Sequence, residues 1–125
     1  MSFEPPFDIE AAASILRALA NPTRLAVALR LLQSPCTVAM LETDLQVRQP
    51  NLSQHLAELR DAGIVSAERQ SRNMIYSLAD DERRRLVEAL HESFGGERIA
   101  GAIDLQHLST RPQPQAAVFA RIGAR

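Results

Sequence analysis

The spacing of the apolar residues changes at Gly63. This change indicates helices before Gly63 and a short sheet directly after it. Before Gly63, apolar side chains recur every three or four residues, which is the period of an amphipathic helix. After it, residues 64–69 and 74–78 alternate roughly with a period of two, and the polar link 70–73 is typical of a turn. The pattern predicts a mainly helical domain that carries one small β-hairpin.

Residues that cap or end helices divide the helical part into segments. The first helix begins after Asp8. Asn21 is a good N-cap and Pro22 is tolerated at the first helical position, so a second helix begins there. Pro35 ends this helix because proline keeps the residue before it out of helical geometry. Thr37 then caps a short third helix.

The fourth helix, from Pro50 to about Ala62, is expected to have two unlike faces. Leu52, Leu56 and Leu59 lie at helical spacing and form an inner apolar face. The outer face is dense in hydrogen-bonding groups. Its members near the N-terminal end are Asn51, Ser53, Gln54 and His55.

The acids at residues 80–82 predict the start of a fifth helix, where the helix dipole favours negative charge. Gly95 and Gly96 end this helix, and the periodicity weakens beyond them. We therefore expect residues 1–96 to form one folded domain. Residues 97–125 are expected to form a C-terminal tail that includes a short helix or an arm.

The composition excludes several classes of protein. No apolar run reaches the length of about 18 residues that a transmembrane helix needs, and the N-terminus lacks the pattern of a secretory signal. A single cysteine, Cys36, cannot form an internal disulfide, which indicates a cytoplasmic protein. The sequence has no glycine-rich phosphate loop, nucleophile elbow or paired catalytic carboxylates. We therefore expect no enzymatic activity, no cofactor and no membrane partner.

The net charge of −1 does not by itself favour a nucleic-acid partner. All 14 basic residues are arginine, the side chain best suited to bidentate contacts with phosphate and guanine. Genomic base composition is the simpler explanation of this arginine-only usage. Residues 45–76 carry four arginines against three acids and are the only net-positive part.

Two short helices joined by a tight turn, with a hairpin directly after them, predict a winged helix-turn-helix of about five helices and a two-stranded wing. One helix fits the major groove and reads base edges, while the hairpin tip reaches the backbone or the minor groove. A solvated polar face and a soluble hairpin tip are the alternative explanation. The candidate DNA-binding residues are Arg48, Gln49, Asn51, Ser53, Gln54, His55, Arg60, Arg69 and Arg72.

Three stretches of this sequence resemble the ArsR/SmtB family of bacterial winged-helix repressors. Residues 19–25, LANPTRL, resemble the LADPTRL opening of these repressors. Residues 49–65 resemble its recognition helix and the exit from it, and residues 76–78 resemble the end of its wing. The resemblance covers about residues 10–94. It implies a homodimer that binds an inverted-repeat operator in double-stranded DNA and blocks transcription until an effector arrives.

The resemblance also implies a dimer interface formed by the first and last helices. A single module contacts few base pairs, so two modules across a palindrome multiply the specificity. Completion of the monomer core is the alternative use of the apolar stripes on these two helices. The expected interface residues are Ile9, Ala12, Leu16, Leu86, Leu90 and Phe94.

The effector is not evident from the sequence. The Cys-X-Cys pair of metal-sensing members would fall at Thr37 and Ala39, and a lone thiolate at Cys36 is a poor metal site. Glu88 and His91 share a helix face, but solvated charges explain them more simply. We therefore expect no metal site. Asp104 and His107 form a weak cluster in the tail to which we assign no role.

Members that sense sulfide or oxidants use two cysteines, whose positions here are Leu29 and Gly95. Cys36 is left either as a one-thiol redox sensor or as a buried, inert residue, which is the commoner case. The sequence as a whole predicts a dimeric DNA-binding repressor with an unidentified effector. The alternatives are a redox- or sulfur-responsive regulator that uses Cys36 and a winged helix that binds a partner protein.

Overall fold

The computed structural model describes residues 2–95, so the predicted tail, with Asp104 and His107, lies outside the described residues. Five helices and three strands follow one another along this part of the chain. They are α1 (Ile9–Leu19), α2 (Pro22–Gln33), β1 (Cys36–Thr37), α3 (Val38–Leu45), α4 (Asn51–Asp61), β2 (Val65–Gln70), β3 (Asn73–Leu78) and α5 (Asp81–Gly95). No helix within residues 2–95 combines the length and apolar character that a membrane span requires.

The first three helices begin where their capping residues predicted. Asp8, Asn21 and Thr37 each accept a hydrogen bond from the backbone N–H three residues further on, at 3.0–3.1 Å. Each side chain therefore satisfies one of the backbone donors that a helix leaves unpaired in its first turn. These caps fix where α1, α2 and α3 start.

The later boundaries also follow from local chemistry. Gly63 follows the end of α4 with a φ of +78°, a left-handed conformation that glycine adopts without steric cost. Asp80 precedes α5, and its carboxylate accepts from the backbone N–H of Arg83 at 2.9 Å. The predicted switch from helix to hairpin at Gly63 is confirmed.

The two predicted strands of the wing are present as β2 and β3, and a third, short strand that was not predicted joins them in one sheet. β3 is central and pairs antiparallel with both neighbours, in the order β1-β3-β2. β1 is only two residues long, with Cys36 opposite Tyr76 and Thr37 opposite Ile75. Two residues cannot produce the alternation by which a strand is recognised in sequence, so this edge strand was missed.

Leucine, valine and isoleucine side chains from the five helices and the sheet form most of the core, since the whole chain has only four Phe, one Tyr and no Trp. α2 is the central helix: Val27, Ala28 and Leu31 are inaccessible to solvent and Leu32 is almost so. The ion pair between Arg30 and Asp44, at 2.8 Å, links α2 to α3 at the edge of this core. The first and last helices contribute to the same core through buried Leu19 and Val87. The other elements add the buried residues Leu41, Leu52, Leu56, Leu59, Ile64, Val65, Tyr76 and Leu78.

Candidate nucleic-acid interface

Helix α4 has the two faces that the sequence predicted. Leu52, Leu56 and Leu59 are buried against the core, so the orientation of the helix is fixed by packing. Asn51 and Gln54 lie on the exposed side, in the first turns of the helix. Amide side chains carry both donors and acceptors, which is what reading a base edge requires.

The N-terminus of α4 is capped by a residue outside the helix. Pro50 occupies the cap position and has no side-chain acceptor. Gln49 supplies the missing group: its Oε1 accepts from the backbone N–H of Ser53 at 3.0 Å and also from the Ser53 hydroxyl. Both side chains are exposed, but their mutual hydrogen bonds leave the Gln49 amide N–H₂ as the group free for another partner.

His55 lies at the border between the two faces of α4, unlike the exposed Asn51 and Gln54. It is half-buried, and its Nδ1 is 3.3 Å from Nη1 of Arg24. The spacing explains this position, because His55 is three residues from Leu52 and four from Leu59, both on the inner face. The helical period therefore indicates the partial burial of His55, which its assignment to the outer face did not take into account.

Arg24 was not among the predicted DNA-binding residues, although it lies inside the motif at residues 19–25 and contacts one of them. Its Nε donates to the carbonyl of Ala18 at 2.6 Å, and its Nη1 reaches His55. One guanidinium on α2 therefore contacts the end of α1 and the middle of α4. Arg24 and His55 are 31 residues apart in sequence, so the helical period gives no signal of their contact.

The hairpin β2–β3 is longer and its turn tighter than predicted. Gln70 pairs with Asn73, so only Ser71 and Arg72 connect the strands. Ser71 has a φ of +58°, the left-handed conformation that tight hairpin turns require. The turn places Arg72 at the exposed tip, and Arg69 is exposed on the adjoining strand.

Four of the predicted DNA-binding residues are arginines. Arg48, Arg60, Arg69 and Arg72 are all exposed, and within residues 2–95 none of them forms an ion pair or a side-chain hydrogen bond. By contrast, Arg84 on α5 donates to the carbonyl of Leu32 at 3.1 Å. Guanidinium groups without a protein partner are available for phosphate oxygens.

A second group of exposed apolar side chains lies on α1 and α5. Ile9 is 49% exposed, Leu16 48% and Phe94 84%, whereas the other predicted interface residues, Ala12, Leu86 and Leu90, are half-buried. Phe3 and Phe7, ahead of α1, are also exposed. They were not among the predicted interface residues because they precede the helical period.

Cys36 is buried on β1, at 1% exposure, and its Sγ–H donates to the carbonyl of Ser34 at 3.5 Å. Burial raises the pKa of this thiol above its ordinary value; nearby Arg30 opposes the effect and Asp44 adds to it. Since the thiolate is the reactive form, this environment disfavours reaction with oxidants. Among residues 2–95, no group of three or more His, Cys, Asp or Glu side chains is placed to hold a metal ion.

Comparison with known proteins identifies the family. The model of the bacterial regulatory protein arsR family matches residues 21–67. The biofilm growth-associated repressor of Agrobacterium fabrum is 46% identical over 82 residues, which are 66% of this chain and 70% of that protein.

Two solved structures share the fold. HlyU from Vibrio cholerae N16961 superposes with a TM-score of 0.68 and 32% identity, covering 72% of this chain and 98% of that one. The homodimeric winged helix-turn-helix DNA-binding domain of Mb0332 from Mycobacterium bovis superposes with a TM-score of 0.64 and 25% identity. The match covers 80% of this chain and 94% of that one. The helices and the wing of this chain match the fold of these relatives. The chain therefore belongs to the ArsR family of bacterial regulatory proteins.

Proposed function

We propose that this chain is a homodimeric repressor of transcription that binds an inverted-repeat operator and is released by an effector. One observation carries the proposal: the exposed polar face of α4 is accompanied, before it, at its end and on the hairpin, by four exposed arginines that have no protein partner within residues 2–95. Amides that read bases, set between cations that contact phosphate, are the combination that sequence-specific binding requires. The Agrobacterium relative, named as a repressor, supports the direction of regulation.

The exposed apolar surface on α1 and α5 supports the homodimer. Ile9, Leu16 and Phe94 would each remove apolar area from water on association, and a two-fold axis places the same patch on both subunits. The M. bovis structure, described as homodimeric, is consistent with this arrangement. Two recognition helices would then lie one helical turn apart on one side of the duplex.

The polar character of the α4 surface favours DNA over a partner protein. Within the part of the chain that the structure describes, the large exposed apolar side chains lie outside α4 and the hairpin. Protein interfaces generally have an apolar centre with aromatic anchors. This surface offers none, so we do not favour a winged helix that binds another protein.

We further propose that Cys36 is a packing residue and that the effector acts elsewhere. Its burial and raised pKa both reduce the amount of reactive thiolate. The protein would act in the cytoplasm, as a regulator rather than an enzyme. If Cys36 is inert, the Cys36→Ser variant should release operator DNA in response to oxidant or polysulfide to the same extent as the wild type. Loss of a wild-type release in this variant would make Cys36 the sensor.

The proposed function is tested by selecting duplexes from a random library with the full-length protein. Fluorescence anisotropy then compares the selected duplex with a scrambled one at fixed salt. We expect an inverted repeat in the selected sequences and at least about a thousandfold preference for it, as specific binders show. In vitro transcription from a promoter containing this sequence should fall when the protein is added. Equal binding to both duplexes would contradict the proposal.

A further inference from the structure

Arg24 is held in place by three hydrogen-bond contacts around the N-terminus of α2. Its backbone N–H donates to Oδ1 of Asn21 at 3.0 Å, and its Nε donates to the carbonyl of Ala18 at 2.6 Å. The third contact is the approach of its Nη1 to Nδ1 of His55, at 3.3 Å. The first contact fixes the backbone of Arg24, and the second holds one edge of its guanidinium. Together they place Nη1 beside the His55 ring.

The chemistry of the guanidinium decides the state of the His55 ring. Arginine carries five N–H donors and no acceptor, so Nδ1 of His55 must be the acceptor in this hydrogen bond. An imidazole that accepts at Nδ1 is neutral and carries its proton on Nε2. The other edge of the ring is then a donor only.

We propose that Arg24 is a positioning residue that holds His55 as the neutral Nε2–H tautomer, so that α4 offers DNA a ring donor at this position. This inference rests on the proposed function, because it assigns a role to His55 in the complex. The partner must be a hydrogen-bond acceptor: a phosphate oxygen, or an acceptor atom on a base edge such as guanine N7 or O6. Arg24 acts through His55 and does not itself contact DNA.

The first test measures the ring without DNA. Two-bond ¹H–¹⁵N correlation spectra of the full-length protein at alkaline pH distinguish the two tautomers by their nitrogen shifts. We expect Nε2–H for His55 in the wild type and a shift toward a mixture of tautomers in Arg24→Met, which has similar length but no donor. The matched control is Arg30→Met, which removes an arginine of α2 that contacts Asp44 on α3 and should leave the His55 signals unchanged.

Two results of this experiment would overturn the inference. The first is an Nδ1–H ring in the wild-type protein, which remains decisive even if Arg24→Met does not fold. The second is a set of ring shifts in folded Arg24→Met identical to those of the wild type. Circular dichroism establishes that the variants being compared are folded.

The second test is a double-mutant cycle for DNA binding, measured on the selected and the scrambled duplex. We expect Arg24→Met and His55→Ala each to weaken binding about fivefold, as loss of one hydrogen bond predicts, and the double variant to lose no more than either single variant. A loss confined to the selected duplex assigns the acceptor to a base edge, whereas an equal loss on both assigns it to phosphate.

The two duplexes also separate the coupling of Arg24 to His55 from DNA recognition by the protein as a whole. If the wild type discriminates between the duplexes but the two losses multiply to about 25-fold, Arg24 acts independently of His55 and the inference is wrong. If the wild type binds both duplexes equally, the proposed function is wrong, and with it the contact between His55 and DNA.

Discussion

Helices α4 and α1 are both amphipathic, but their apolar faces have different surroundings. The three leucines of α4 are completely or almost completely buried in the monomer, whereas Ile9 and Leu16 on α1 remain about half exposed. The exposed side of α4 is polar. On α1, only the last apolar residue, Leu19, is buried.

Helical periodicity alone does not distinguish these two apolar faces. The three- and four-residue spacing identifies an apolar face in either helix, but it does not tell whether the same chain or a second copy covers that face. Exposure in the folded monomer separates the two cases. We interpret α4 as a helix fixed by the core that presents its other side to DNA, and α1 as a helix that a second subunit completes.

The largest expected effect is a loss of stability when the buried face of α4 is altered. Leu56→Ala removes a buried leucine from the centre of the inner face and should lower the free energy of unfolding by about 2–5 kcal/mol. Urea denaturation measures this. Glu58→Ala, exposed on the same helix, is the control and should change stability by less than about 0.5 kcal/mol. Similar losses in both variants would mean that α4 is not anchored by its leucines.

The next effect tests the α1 side. Leu16→Asp places a charge on the exposed apolar surface of both subunits and should raise the dimer dissociation constant about a hundredfold, or by about 3 kcal/mol, as measured by analytical ultracentrifugation. Ser14→Asp adds the same charge about 200° around the helix and should leave the dimer intact. If Leu16→Asp dissociates no more than the control, α1 is not part of the interface.

A smaller effect is expected on the polar face of α4. Gln54→Ala should weaken binding to the selected duplex by about 1–3 kcal/mol if the amide contacts a base, because a base acceptor or donor loses its partner. Gln33→Ala, at the exposed end of α2, should bind as the wild type does. A loss of equal size on scrambled DNA would contradict base reading by Gln54.

The smallest effect concerns the hairpin. Arg72→Ala should lower affinity for all sequences alike and flatten the slope of log affinity against log salt by about one, because one phosphate contact is lost. The measurement is a salt titration by anisotropy, with Arg85→Ala on the exposed surface of α5 as the control. An unchanged slope in Arg72→Ala would remove the wing tip from the phosphate contacts.

Most of the fold could be predicted because its determinants are local. The caps at Asp8, Asn21 and Thr37 act three residues away, and the left-handed residue Gly63 acts at its own position. Such signals are read directly from the sequence. Strand β1 was not predictable in this way, since its two residues are defined only by pairing with β3.

The candidate site was predictable in composition but not in internal contacts. The exposure of Asn51, Gln54 and the flanking arginines followed from the helical period and the hairpin pattern. The approach of Arg24 to His55 joins residues far apart in sequence, and the use of Gln49 as a cap depends on the path of the chain before α4. Neither has a periodic signature, so both required the three-dimensional structure.

The spacing of the two half-sites in the selected inverted repeat tests whether a symmetric dimer binds the DNA. If two α4 helices related by a two-fold axis lie in successive major grooves, inserting about five base pairs at the centre rotates one half-site to the opposite side of the duplex. We predict that affinity for this duplex, measured by anisotropy, falls to the level of scrambled DNA. Unchanged affinity after the insertion would contradict symmetric binding by a dimer.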